Sequence, residues 1–172
     1  MKSLNWLVIF VLFLLLLASC GKIQVLPDIP SINFTNFSIY DTTDALGNVV
    51  KGGTLTFYFQ DGDGDVGLQP PTDSQSDSIN LFLTLYRVKN GKTGKAPNTD
   101  PLTPTGFRIP YMDRPGQNKI LKGVIEVDFT YLFYSGQDTI KYHFWIRDRA
   151  GHVSNVDSTG IIPVAVNGIY VR

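Results

Sequence analysis

Beyond residue 31 the apolar positions recur at every second residue, the period of half-buried strands rather than of helices. A first strand is predicted over residues 32–40, followed by a turn around Asp44, Gly47 and Asn48. In the second strand Leu55, Phe57 and Phe59 alternate with Thr54, Thr56, Tyr58 and Gln60. A loop over 61–78 leads to a third strand with Ile79, Leu81, Leu83 and Leu85 on one face. Residues 89–106 carry glycine, proline and lysine without a period, which predicts a long exposed connection. A short extended piece at 107–111 and a turn at 113–116 precede a strand alternating Leu121, Gly123, Ile125, Val127 and Phe129. The sixth strand, 139–148, turns Ile140, Tyr142, Phe144 and Ile146 inward, and a last one lies within 156–166, with 169–171 extending it. About seven short strands separated by turn signals predict an all-β, antiparallel sandwich.

Residues 4–17 differ in kind, being an almost unbroken apolar run with Asn5 as its one polar residue. At about 1.5 Å per residue such a helix is roughly 21 Å long. That is short for a bilayer core of about 30 Å and suits the apolar region of a signal peptide. Leu17, Ala18 and Ser19 then lead into Cys20, the only cysteine in the chain. This Leu–small–small–Cys sequence resembles the lipobox of bacterial lipoproteins. The resemblance implies a diacylglyceryl thioether on the Cys20 sulfur, cleavage before Cys20 and acylation of the new amino terminus. The organisation expected is a signal peptide over 1–19, a lipidated cysteine and tether over 20–31, and one domain over 32–172.

Composition sharpens this picture in three ways. Removing residues 1–19 from 172 leaves 153, enough for one domain with a sizeable core. Lipidation would consume the only thiol, so no disulfide is expected although an exported protein could form one. Of the 15 acidic residues only Glu126 is glutamate, and the mature chain has no basic stripe, so nucleic acid is excluded as a partner.

The segment 142–155, Y-H-F-W-I-R-D-R-A-G-H-V-S-N, resembles the penultimate strand and final hairpin of bacterial immunoglobulin-like domains, where an Asp–x–Ala–Gly–Asn–x–Ser turn recurs; here His152 replaces the Asn. With the lipobox and the stretch F-Q-D-G-D-G-D-V-G, the chain resembles small immunoglobulin-like (fibronectin-III-like) lipoproteins of Bacteroidota. The resemblance implies a compartment and a fold, not an activity.

Asp61, Asp63 and Asp65 are spaced by glycines immediately after the second strand. In a sandwich of this kind the loop after the second strand and the loop after the sixth emerge at one end, which would bring Asp148 towards the triplet, with Asp157 also in reach. Alternating Asp and Gly lets the backbone curl until alternate oxygens converge, the arrangement Ca²⁺ takes with ligands at about 2.3–2.6 Å. Only positions one, three and five of an EF-hand loop are matched. Val66 stands at the turning glycine, Thr72 at the bidentate glutamate, and no helices flank the loop. The expectation is a structural calcium site at Asp61, Asp63, Asp65 and Asp148, against the alternative of a solvated turn without an ion.

Phe82, Tyr86, His143 and Trp145 fall on the opposite face from the aliphatic stripe of their strands. They could form a patch for glycan or protein contact. The reading favoured here is that the long insert, with Phe107 and Tyr111, folds back over them. Neither His143 nor His152 belongs to a nucleophile or zinc motif, and glycine-spaced loop aspartates make a weak glycosidase pair. The sequence therefore leads to a non-catalytic, lipid-anchored lipoprotein of the outer membrane, binding or assembling with envelope proteins or glycans. A calcium-dependent surface adhesion module is the alternative, and an Asp-dependent hydrolase the third. Gly21, Lys22, Ile23, Gln24 and Val25 contain no acidic residue of the sort that accompanies surface export, which favours the periplasmic face.

Overall fold

The alternating segments close into two antiparallel sheets in a computed structural model that describes residues 26–70, 79–114 and 116–172. Strands β1 (Ser31–Thr43) and β2 (Val49–Asp61) form a long hairpin, paired from Ser31 with Gln60 to Thr43 with Val49. β3 (Leu81–Lys89) and β4 (Lys92–Lys95) form a second hairpin. β5 (Leu121–Tyr131) runs along β2, and β6 (Thr139–Ile146) pairs with β3. Three short strands finish the chain: β7 (Asp157–Ser158), β8 (Ile162–Pro163) and β9 (Gly168–Tyr170). The order is β5-β2-β1-β9 in one sheet and β4-β3-β6-β7 in the other, with β8 also on β6. No helix occurs among the described residues. The protein is an all-β sandwich.

Its core follows from the period. Phe37, Leu55 and Phe57 of the first sheet and Ile140, Tyr142, Phe144 and Ile146 of the second are all fully buried. Their rings meet across the sheets, Phe57 with Phe144 at 5.2 Å and Phe129 with Tyr142 at 5.4 Å between centroids. Two buried phenols share a hydrogen bond, Tyr131 Oη to Tyr142 Oη at 3.2 Å, and Tyr142 Oη donates to the Leu102 carbonyl at 3.0 Å. Burial raises the pKa of both phenols, so they stay neutral.

The structure corrects the sequence reading in two stretches. Residues 89–106 are not a featureless exposed connection. They contain β4, reached through a turn in which Asn90 and Gly91 both take positive φ, and they bury Ala96 and Leu102. Arg87 explains the placement: its guanidinium makes two 2.7 Å bonds to Asp100 and a third to Asp138, clamping the insert to the turn before β6. The carboxyl end, expected as one strand, is three. On either side of β7 the chain follows β6 by half-ladders in which a side chain replaces one carbonyl: Ser154 N donates to Ile146 O and Thr159 N to Tyr142 O, while Ile146 N donates to Ser154 Oγ and Tyr142 N to Thr159 Oγ1, both at 3.0 Å.

Side chains also stitch the two sheets together. Asn155 mimics a strand, accepting from Ile32 N through Oδ1 and donating to Ile32 O through Nδ2, each at 2.9 Å. Asp157 accepts from Phe34 N next to the irregularity in the β1–β2 register at Phe34 and Asn36. The loops after β2 and β6 lie at one pole of the sandwich; the β1–β2 turn lies at the other.

Candidate metal centre

Asp61 is the last residue of β2, paired with Leu121, and it is fully buried. Its Oδ2 accepts from the backbone N–H of Asp65 at 2.8 Å and of Val66 at 3.1 Å, so the loop curls back over its own first carboxylate. Val66, fully buried in the core, fixes the far end of that curl. The glycines between the aspartates are required by contact. A Cβ on Gly64, whose φ is +72°, would lie 1.9 Å from the Lys119 carbonyl oxygen, and one on Gly62 would lie 2.4 Å from the carbonyls of Leu26 and Pro27. Only a chain without side chains at these positions packs so tightly between its neighbours.

The hairpin after β6 closes the other side. Ala150 N donates to Asp65 Oδ2 at 2.9 Å and Arg149 N to Asp65 O at 3.3 Å. The Arg149 guanidinium donates to Gly67 O at 2.7 Å and lies 4.8 Å over the Tyr111 ring.

What remains is an unmet demand. Asp61 Oδ1, Asp63 Oδ1 and Asp65 Oδ1 are each buried and have no hydrogen-bond partner within the protein. One oxygen from each of the three residues falls within 4.8 Å of the others. Ionised carboxylates at that spacing repel by roughly 3 kcal/mol per pair at an effective dielectric near 20. Burial pushes the Asp61 carboxyl up to about 6, with Asp63 and Asp65 adding repulsion. Asp65 is raised as well, by burial first and then by Asp148 and Asp63. The donor set consists of hard oxygens, and opposite ligands around a calcium ion are about 4.6–5.2 Å apart, so the three oxygens can share one such ion.

Asp148 is brought to the same pole but not into this set. Its Oδ1 accepts from His152 N at 2.7 Å and its Oδ2 pairs with His152 Nδ1 at 2.9 Å, closing the hairpin turn. Those bonds raise the His152 pKa. Asp148 thus acts on the cluster as a neighbouring charge. Asp157 is spent on Phe34 N and on Arg172, away from the loop.

The four outward aromatics do come together on the β3–β6 face. Phe82 stacks on Trp145 at 5.6 Å and 14°, Tyr86 meets His143 at 4.4 Å, and the Arg147 guanidinium lies over Phe82 at 5.3 Å. His143 is held below its usual pKa by burial and by Lys141. The expected cover is not supplied by Phe107 or Tyr111. Phe107 packs inward on Phe129 at 5.0 Å, and Tyr111 lies under Arg149 at the acidic pole. A shallow groove of about 280 Å³ between residues 101–107 and the end of β5 has Asp128 as its one carboxylate. Cys20, the tether up to Val25 and Thr72 lie outside the described residues.

Sequence reasoning missed Asn80, buried between three segments, whose Oδ1 accepts from Ile109 N at 2.7 Å and whose carbonyl accepts from Arg147 N at 2.9 Å. No periodic signal marks such a residue, since it acts through partners far away in sequence. Compared with known proteins, the chain matches no family model, no curated protein and no solved structure.

Proposed function

We propose that this chain is a calcium-bound, non-catalytic β-sandwich module, held at the envelope membrane by lipid on Cys20, with a binding or assembly role there. The observation that carries the calcium reading is that Asp61, Asp63 and Asp65 each hold a buried, unpartnered carboxylate oxygen and each bring an oxygen within 4.8 Å of the others. A bound ion would cancel their repulsion and tie the end of β2 to the curl that follows it. The anchor reading is supported by the Leu17–Cys20 sequence after a short apolar run, and the outer-membrane, periplasm-facing location by the absence of acids over 21–25. The strand order β5-β2-β1 facing β4-β3-β6-β7 supports the immunoglobulin-like type.

The test of the ion is thermal unfolding with calcium or chelator, together with titration calorimetry. Calcium at a hundredfold excess over its Kd should add about 2.7 kcal/mol of stability, and Asp63→Asn should abolish most of that gain. Unfolding indifferent to both additives would remove the reading. For the anchor, Cys20→Ala should leave an unprocessed, unlipidated product that fractionates differently from the wild type.

A second reading, a glycan-binding face, is favoured by the stacked Phe82 and Trp145 on the outer side of β3 and β6. Glycan binding lost in Trp145→Ala at a nearly unchanged melting temperature would support it. Turnover of a glycoside abolished by Asp63→Asn would instead favour a hydrolase.

A further inference from the structure

We infer that the acidic-loop pole is the face this domain turns towards the lipid bilayer, where the exposed cations Arg114, Lys119 and Arg149 take phospholipid phosphates. The inference rests on the lipid anchor and the calcium ion proposed above. It begins with the length of the tether and the place where it ends. Only residues 21–25 separate Cys20 from Leu26, so even a fully extended tether reaches about 20 Å. Leu26 and Pro27 are seated on the acidic loop itself: Gly62 N donates to Pro27 O at 3.0 Å, and the Leu26 carbonyl would lie 2.4 Å from a Cβ at Gly62. The chain therefore reaches the domain beside the aspartates. The opposite pole is out of range, because the 13 residues of β2 hold the Asp44 turn about 40 Å away.

Three exposed cations flank the loop in which the proposed calcium ion would offset two of three negative charges. Arg114, Lys119 and Arg149 are exposed on segments packed against the loop. Arg114 donates to Ile120 O, Lys119 reaches Arg114 O at 3.4 Å, and Arg149 holds Gly67 O. Among the described residues the exposed carboxylates on the same pole are Asp28 and Asp113, with Asp63 and Asp65 half-buried in the loop itself; in the sequence Lys22 lies in the tether, and Asp73 and Asp77 follow the loop. Without an ion, Asp63 and Asp65 repel lipid phosphates; calcium in the loop would cancel two of the three negative charges of Asp61, Asp63 and Asp65 and so weaken that repulsion beside the three cations.

The experiment uses the full lipidated chain in vesicles of phosphatidylethanolamine and phosphatidylglycerol, with a quencher on the lipid headgroup. Lipidation occupies the native thiol, so Gln117→Cys and Leu46→Cys each give a single labelling site, near and far from the loop. With calcium, fluorescence should be lost at position 117 and retained at position 46. Equal quenching at the two positions, or stronger quenching at 46, overturns the inference. Arg114→Glu with Lys119→Glu should restore fluorescence at 117 without releasing protein; unchanged quenching in that variant overturns the phosphate contact. Wild-type protein that fails to enter the vesicles removes the anchor and this inference together, whereas incorporation with equal quenching removes the inference alone. Quenching at 117 that is the same in calcium and in chelator overturns the dependence on the ion.

Discussion

The two ends of β2 carry acidic, glycine-containing turns that solve one problem in opposite ways. At the start of the strand, Asp44 accepts from Leu46 N, Asn48 N and Asn48 Nδ2, all at 2.8–2.9 Å, and these bonds hold its pKa below the usual carboxylate value. A Cβ on Gly47 would meet nothing. That turn is complete by itself. At the far end, Asp61 and Asp65 are pushed up in pKa, three oxygens lack partners, and glycines press on neighbouring carbonyls. An acidic residue in a turn thus says little; what matters is whether the backbone around it supplies enough donors. At Asp44 it does; at Asp61–Asp65 three oxygens are left over, the gap that the proposed calcium ion would fill.

The sharpest way to break this contrast is steric. Gly64→Ala should cost about 3 kcal/mol or more in denaturant unfolding, because Lys119 O cannot yield without moving the start of β5. Gly47→Ala should cost only the left-handed backbone penalty, about 1 kcal/mol. Equal losses would show that the acidic loop is as free as the turn. Next in size is the calcium response: Asp63→Asn should lose most of the 2.7 kcal/mol or so gained at a hundredfold excess, and Asp44→Asn should keep all of it.

A third effect separates the loops by pH. In the metal-free protein Asp61 binds its proton more tightly than the unfolded chain does, with a pKa of about 6 against 3.8. The stability this contributes is fully present below pH 3.8 and is lost as pH rises through 6. Calcium should reverse that slope, since protons then compete with the ion. Asp44 has the opposite sign, its contribution being present above 3.8 and lost as pH falls. Unfolding curves across pH 3–7, in chelator and in calcium, would reveal a single shared slope if the contrast were false. The smallest effect expected is on the exposed Asp44 turn, where Asp44→Ala removes bonds already in contact with water.

Most strands were legible because one face of each is buried and the period of two records it: Leu55, Phe57 and Phe59 point inward as their spacing requires, as do Ile140, Tyr142, Phe144 and Ile146. β4 was not legible. Its four residues are all exposed, and its position is set by the Asn90–Gly91 turn and by Arg87 gripping Asp100. The carboxyl end was misread because Ser154 and Thr159 accept β6 amides through their side chains where a ladder would use carbonyls, and Asn155 turns its side chain to Ile32 of the other sheet, which breaks the regular strand into short pieces. At the acidic pole the triplet was legible through its glycine spacing. Asp148 was assigned to the same cluster, but its neighbour four residues on, His152, occupies both of its oxygens.

The seam between β1 and the other sheet has a mechanical consequence. A pull on the amino-terminal segment first meets the bond between Pro27 O and Gly62 N, then enters β1 at Ser31 and runs along its axis, so the bonds to β2 are loaded together in shear instead of being peeled one after another. Asn155 and Asp157, clasping Ile32 and Phe34, stand at the head of β1 in the path of that load and spread it into the second sheet.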